Sequence, residues 1–510
     1  MATETELKLS ARPEDLPAVE RVLEAMTQPA ARGGAHLAST YYDTPERSLI
    51  RHGIVLRVRE SAGGFVQTVK SAPNGAGNGL ARGEWEDAIG GPAPDPTAPQ
   101  SGRLFATMPA DGLAPLFRTE VDRRTFDLAP GPATRIEAAI DTGALVGAPS
   151  DRTEPISEVE LELKEGKPAA LYDVALHLLE TAPLRLALDS KAERGYRLVE
   201  GGRHPPEVVR APPIALDPTL SGNEALQRIG RACLDHLMRN EPAALAGEPD
   251  GIHQMRVAVR RLRAILSAFG KFLPVEQRRW ASQQLRWLAD ALGDARNLDA
   301  FRSTVLGAAP KKLAAAGRLA DLAQGVEQRR RLAYERATEA IQSRRYTGAL
   351  LRILQWFDAM AWRSGDGPDP LAQPIAHIAP RVLDRRKRAV KKRSKRFARQ
   401  SPAQRHELRI ALKKLRYATE LLGGLYPPET TAAFVGRLKR LQDDLGAAND
   451  VRVGHDIVAD LTVSSAVDSV GGDLLAWHEA RLTKREPELR EHLRRLKSEQ
   501  RFWRDRPANE

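Results

Sequence analysis

The chain has 510 residues, with 78 Lys+Arg against 66 Asp+Glu and a formal charge of +12; it is too long for one compact core, suits two to four domains, and its excess positive charge points towards polyanionic partners. Its one cysteine, Cys233, excludes an intramolecular disulfide, argues against a cysteine-built zinc site and suits a reducing compartment. No apolar run reaches membrane-spanning length, and the acidic N-terminus lacks a basic region followed by an apolar stretch, so the expectation is a cytoplasmic protein with no membrane association.

The opening stretch alternates Glu4, Glu6 and Lys8 with Thr5, Leu7 and Leu9, a period of two that puts three charges on one face of a strand. Taken alone this reads as the solvated face of an edge strand. The same grammar recurs in Leu56-Arg57-Val58-Arg59, in Thr68-Val69-Lys70, in Glu84-Trp85-Glu86 and in Glu158-Val159-Glu160-Leu161-Glu162. Carboxylates collect on some strands and cations on others, as a closed sheet with a charged interior and an apolar outer surface requires. Tyr41-Tyr42-Asp43-Thr44-Pro45 reads as turn and packing chemistry. His36 and His52 have no metal-ligand partner at a recognisable spacing, and Gly75 to Gly83 lacks the strand–loop–helix context of a phosphate-binding loop and reads as a hairpin connection.

Pro205, Pro206, Pro212, Pro213 and Pro218 prevent regular structure from continuing through residues 201–218, which therefore form a linker. Beyond it apolar residues recur at helical spacing, with an internal repeat. His253, Arg256, Arg260 and Arg263 are echoed by His406, Arg409, Lys413 and Arg416, and Asp290-Ala291-Leu292-Gly293 by Asp443-Asp444-Leu445-Gly446, all 153 residues on. Spacings of three and four put each basic set along one helix stripe. A single stripe reads as a solvated face, but its duplication in register favours a linear anion. Arg385 to Arg399 adds ten basic residues and no acidic one. The few aromatics do not cluster among these stripes, which makes nucleic acid the weaker candidate. Were His253 and His406 to contact phosphate, binding would strengthen as pH falls through the histidine range.

The ordered set Glu4-x-Glu6-x-Lys8, Arg57-x-Arg59, Lys70, Arg82 to Glu86, Arg123, Glu137 with Asp141, Glu158-x-Glu160-x-Glu162 and Ser190 to Tyr196 resembles the CYTH, or triphosphate tunnel metalloenzyme, family over residues 1–200. The paired basic helices resemble the CHAD domain over residues 219–505. The two resemblances imply an α+β multidomain chain: an N-terminal antiparallel closed β-barrel forming a tunnel with flanking helices, then a pair of pseudo-symmetric all-α helical bundles. They imply metal-dependent hydrolysis of inorganic triphosphate to pyrophosphate and phosphate, with Mg²⁺ or Mn²⁺ held by Glu4, Glu6, Glu158, Glu160, Glu162, Glu137 and Asp141. Glu84 and Glu86 are weaker additions. Glu4, Glu6, Lys8 and Lys70 are the implied catalytic residues, and Arg57, Arg59, Arg123, Lys191 and Arg194 the substrate cradle. The two basic stripes are implied to bind inorganic polyphosphate, in a bacterial protein associated with polyphosphate granules. The alternatives are a polyphosphate-binding or targeting protein without turnover, or a tunnel enzyme acting on thiamine triphosphate or on ATP as an adenylate cyclase.

Overall fold

The computed structural model describes residues 5–61, 63–71, 83–101, 112–148, 152–201, 206–310, 318–363, 368–461 and 465–504. Two compact units result, one of residues 1–205 with Gln342–Gln355, the other of residues 206–341 with 356–510. Glu4 and the glycine-rich stretch up to Arg82 lie outside the described residues.

The first unit is one antiparallel sheet with strands β1 (Glu6–Ser10), β2 (Thr27–Asp43), β3 (Ile54–Ser61), β4 (Gly64–Ser71), β5 (Gly83–Ile89), β6 (Ala114–Gly131), β7 (Thr134–Gly147), β8 (Thr153–Glu165) and β9 (Arg185–Leu186), in the order 5-4-3-2-6-7-8-1-9. Among the described residues this order is open, so the expected closure into a barrel is not seen. The β9 edge offers two residues of ladder and β5 seven, and no pairing between them is described. Helices α1 (Leu16–Met26), α2 (Ser48–Arg51), α3 (Ala169–Thr181) and α4 (Lys191–Val199) complete the unit.

Alternation sorts the side chains as the period of two requires. Leu7, Leu9, Leu56, Val58, Val69, Val159 and Leu161 are all buried, and Trp85, opposite Val69, lies on their side. Buried positions Leu16, Val19 and Leu23 give α1 an apolar stripe. The other face carries the charges: Glu84 lies opposite Lys70, Arg123 opposite Asp141, Asp141 opposite Glu158, and Glu160 opposite Lys8.

Helix α4 lies on that charged face. Its Ala192, Tyr196 and Leu198 pack with Tyr41, Phe117, Val121, Leu145 and Ile156. Ser190 caps it, accepting from Glu193 N while the Glu193 carboxylate accepts from Ser190 N (2.8 Å). The Tyr196 hydroxyl donates to buried Asp43 (2.8 Å), which also accepts from Leu49 N (2.8 Å) and Thr44 N (2.7 Å), so the Tyr41–Pro45 stretch does turn and packing chemistry. A Cβ at Gly195 would meet the Phe117 ring at 2.1 Å.

The second unit is helical: α5 (Gly222–Met238), α6 (Glu241–Leu245), α7 (Pro249–Ala268), α8 (Val275–Ala291), α9 (Gly293–Ala300), α10 (Arg318–Gln342), α11 (Arg344–Asp358), α12 (Ile375–Arg393), α13 (Pro402–Leu422), α14 (Pro428–Leu461) and α15 (Ser465–Ser498), with α10 and α11 straddling the division between the units. The starts of α5, α7 and α8 recur at α12, α13 and α14, each 153 residues on, so the duplication extends beyond the basic helices. Basic helices α7 and α13 pack on each other. Prolines keep residues 206–218 irregular, yet this segment is tied to the unit: Val209 N donates to Asn240 Oδ1 (3.1 Å), Asn240 Nδ2 donates back to Val209 O (2.9 Å), and Ile214 and Leu216 are buried. Cys233 is fully buried, which pushes its thiol up to about 11.

Replacing Gly195 by Ala forces Phe117 or α4 to move. The expected loss is about 1–3 kcal/mol in the first unit's unfolding transition, read by urea denaturation; an unchanged midpoint would refute the close approach.

Candidate functional site

On the sheet's charged face the Lys191 ammonium donates to Asp141 Oδ2 (2.7 Å), to Glu160 Oε1 (2.9 Å) and to Glu158. The three carboxylates each offer an oxygen within 4.8 Å of the others. Arg123 makes a bidentate pair with Asp141 (2.7 and 2.6 Å) and reaches Glu160. Lys8 lies 2.8 Å from Glu160 and 2.9 Å from Glu6. Arg194 joins Glu158 (3.1 Å) to Glu154 (2.7 Å). Asp141 is 0% and Glu158 2% exposed.

Burial opposes charge here, but the partners win. Lys8, Lys191 and Arg123 hold the Glu160 carboxyl well below the usual carboxylate range; Glu160 with Glu6 lifts Lys8, and Glu160, Glu158 and Asp141 lift Lys191, above the usual amine range. The site is thus a network of ion pairs in which each charge is needed by its neighbours.

Further along the face the balance turns positive. Lys70 pairs with Glu84 (3.0 Å), and Arg57 stands 3.7 Å from Glu84 and 3.9 Å from Glu86. Arg59 is pushed down to about 10 by burial and by Arg57 and Arg123. Among the described residues the buried Nε atoms of Arg57 and Arg59 have no hydrogen-bond partner, and such donors suit an incoming anion.

Of the expected metal ligands, then, Asp141, Glu158 and Glu160 come together, Glu6 is engaged by Lys8, and Glu137 (3.8 Å) and Glu162 (2.6 Å) gather round Lys164. Three carboxylate oxygens already arranged about one ammonium suit a hard divalent cation. Glu154 was not anticipated, although it continues the even-numbered register of Glu158, Glu160 and Glu162. His36 bonds Asp122 and His52 the Ser48 carbonyl, away from the cluster.

In the helical unit the stripes of α7 and α13 form one cationic region. Arg256 donates to Ala289 O (2.5 Å) and Arg260 to Arg256 O (3.2 Å). The buried Nε atoms of Arg256, Arg409 and Arg416 have no hydrogen-bond partner among the described residues. Burial, then Arg409, Arg260, Arg416 and Arg256, pushes Lys413 down to about 7. His253 accepts from Arg296 Nε at 2.8 Å, and burial with Arg296 and Arg260 pushes it down to about 4. Burial and these neighbouring guanidinium groups therefore favour its neutral imidazole. His406 is exposed beside Arg409 and Asn449. Arg263 is exposed on the outer turn of the stripe. Arg296 stands where the two repeats diverge, its counterpart being Asn449, and that divergence alone gave it no role. Of the basic run 385–399, Arg386 bonds Ser267 (2.9 Å) and Lys387 is buried against Phe434 and Trp503, so these two serve the fold, while Arg388, Lys391, Lys392, Arg393, Lys395 and Arg396 face solvent.

Asp141→Asn leaves Lys191 and Arg123 short of a buried counter-charge; the expected destabilisation is about 3–5 kcal/mol, measured by denaturant unfolding, and a loss below about 1 kcal/mol, the level of an exposed pair, would show the network to be dispensable.

Residues 2–196 match the CYTH domain and residues 228–459 the CHAD domain. A curated inorganic triphosphatase of Haemophilus influenzae is 30% identical over 203 residues, 39% of this chain and 55% of that protein, so the chain matches about half the length of this relative. An uncharacterized protein of Mycobacterium tuberculosis is 26% identical over 373 residues, 68% of this chain and 66% of its own. The crystal structure of the CHAD domain from the plant Ricinus communis is similar with a TM-score of 0.51 at 28% identity, over 58% of this chain and 98% of that one. With the two spans in tandem and each carrying the charges described above, the chain carries a CYTH domain followed by a CHAD domain.

Proposed function

We propose that residues 1–200 form a tunnel domain that hydrolyses inorganic triphosphate to pyrophosphate and phosphate with Mg²⁺ or Mn²⁺, and that residues 219–505, beyond the 201–218 linker, bind inorganic polyphosphate. The observation that carries the first half is the division of one sheet face into a carboxylate trio round Lys191 and a neighbouring surplus of guanidinium groups. A triphosphate needs both, because its charge repels a nucleophile until cations neutralise it.

In this reading the charged face is the tunnel wall, and Arg57, Arg59, Lys70, Arg123, Lys191 and Arg194 cradle the phosphates. Asp141, Glu158 and Glu160, with Glu4, Glu6, Glu137 and Glu162, are the oxygen donors for the divalent ion, which when bound neutralises phosphate charge and acidifies water. Lys191 draws on the same oxygens, so a phosphate that gives its ammonium a new partner frees the carboxylates for metal. Lys8 pairs with Glu6 and, with Lys191 and Arg123, holds the Glu160 carboxyl below the usual carboxylate range. Water forms a bond to the terminal phosphorus as the bond to the bridging oxygen breaks, and the cationic cradle stabilises the charge growing on the departing pyrophosphate. Trp85 lies on the apolar side, and Tyr41 is stacked on Phe117 at 4.5 Å; neither is placed to receive a nucleobase or thiazolium, which supports the inorganic substrate over ATP or thiamine triphosphate.

The test is phosphate release from triphosphate, ATP, thiamine triphosphate and long-chain polyphosphate with each metal and with chelator. Metal-dependent turnover of triphosphate is expected, and its loss by at least about a hundredfold in the Glu4→Gln/Glu6→Gln double variant, with polyphosphate binding retained. No turnover of any substrate would leave a binding protein, and loss of both activities would contradict two separate sites.

For the helical domain the support is the partly buried, incompletely neutralised cation set on α7 and α13, whose repulsion an anionic chain relieves. The anion favours protonated Lys413, so polyphosphate affinity is expected to rise as pH falls from about 8 to 6, by no more than about tenfold per unit. Lys413→Arg should flatten that profile. A flat wild-type profile would show that Lys413 does not titrate on binding, and equal competition by duplex nucleic acid would remove the preference for polyphosphate.

A further inference from the structure

Two cavities flank the contact between α7 and α13, and the internal repeat relates them. One, of about 640 Å³, is walled by α7, α8 and α13; the other, of about 1090 Å³, by α13, α14, α7 and the linker. Arg263, Arg278, Arg279 and Arg286 of the first stand 153 residues before Arg416, Thr431, Ala432 and Lys439 of the second. The two are thus counterparts in position but not in charge.

The α8 side of the first cavity contributes Arg278, Arg279 and Arg286, facing Arg260 and Arg263 of α7 and Lys413 and Lys414 of α13, and no carboxylate is among its described lining residues. Arg279 also pairs with exposed Glu276 (2.9 Å). In the second cavity Thr431 and Ala432 stand where Arg278 and Arg279 would, and Glu420 stands where Ser267 would. Glu420 takes Arg416 as its partner (3.2 Å), and Asp250 and Asp443 offset part of the charge of Arg210, Arg260, Arg261 and Lys439 in the same lining. The linker from Val208 to Pro218 supplies a wall there that the first cavity lacks, tied down through Val209 and Asn240.

We propose that the phosphate chain occupies only the cavity between α7, α8 and α13, with Arg278, Arg279 and Arg286 as its third wall, and that the repeat-related cavity beside the linker takes no phosphate chain. This rests on the polyphosphate reading above and narrows it. Of the expected stripes, Arg260, Arg263 and Lys413 face the chain, whereas His253 and Arg416 face the linker side. Cations without compensating acids gain most from a polyanion, since each neutralised phosphate releases a counterion.

The experiment measures binding of long-chain polyphosphate to the full chain over a series of salt concentrations. It compares wild type with the Arg279→Gln/Arg286→Gln double variant and with Lys439→Gln in the repeat-related cavity, the fold of each being checked by circular dichroism. The double variant is expected to weaken binding by about tenfold or more and to lower the slope of log affinity against log salt by about two, while Lys439→Gln changes neither. Arg286→Glu alone gives an independent reading should the double variant fold poorly. An equal loss from Lys439→Gln, or an unchanged affinity and slope in both arginine variants, overturns the one-sided site while the polyphosphate reading stands. Failure of wild type to bind polyphosphate overturns both.

Discussion

The Lys191 ammonium, shared among Asp141, Glu158 and Glu160, is the contact around which the sheet unit is built. Three carboxylates on adjacent strands cannot lie side by side ionised without a cation between them. Lys191 reaches that point because α4 crosses the charged face, and α4 can cross it because Gly195 lets the helix approach Phe117 and Tyr196 anchors it to Asp43. A capping box, a glycine contact and a tyrosine hydroxyl, none of them chemical in function, thus set the position of the ammonium most central to the site.

The helical unit solves the opposite problem incompletely. Arg256, Arg260, Arg409 and Lys413 are partly buried near one another, and acids such as Asp290 and Asp450 offset only part of their repulsion. Buried like charges cost folding free energy, so the stability given up there is available to any anion that replaces the missing partners. Around Lys191 the sheet unit matches its buried charges, whereas along α7 and α13 the helical unit matches them only in part.

Much of this was legible in the sequence. A period of two assigned Leu7, Leu9, Val159 and Leu161 to one face and Glu6, Lys8, Glu158 and Glu160 to the other, because alternation is fixed by strand geometry. The 153-residue repeat and the proline-rich segment were equally visible. What could not be read was pairing. Register brings Asp141 beside Glu158 but Glu137 and Glu162 towards Lys164, and strand identity alone does not reveal which carboxylate meets which cation. The same limit hid the contact of Arg296 with His253, which depends on how α7 meets α9. Closure of the sheet was inferred from charge patterning, which dictates faces and says nothing of edges.

Arg260 lines both of the cavities that flank α7 and α13. A guanidinium fork directed at phosphate on one side is withdrawn from the other, so the two cavities compete for a shared side chain. On the polyphosphate reading proposed above, each helical unit would take one chain at a time, and a long polymer would string several molecules of this protein along its length.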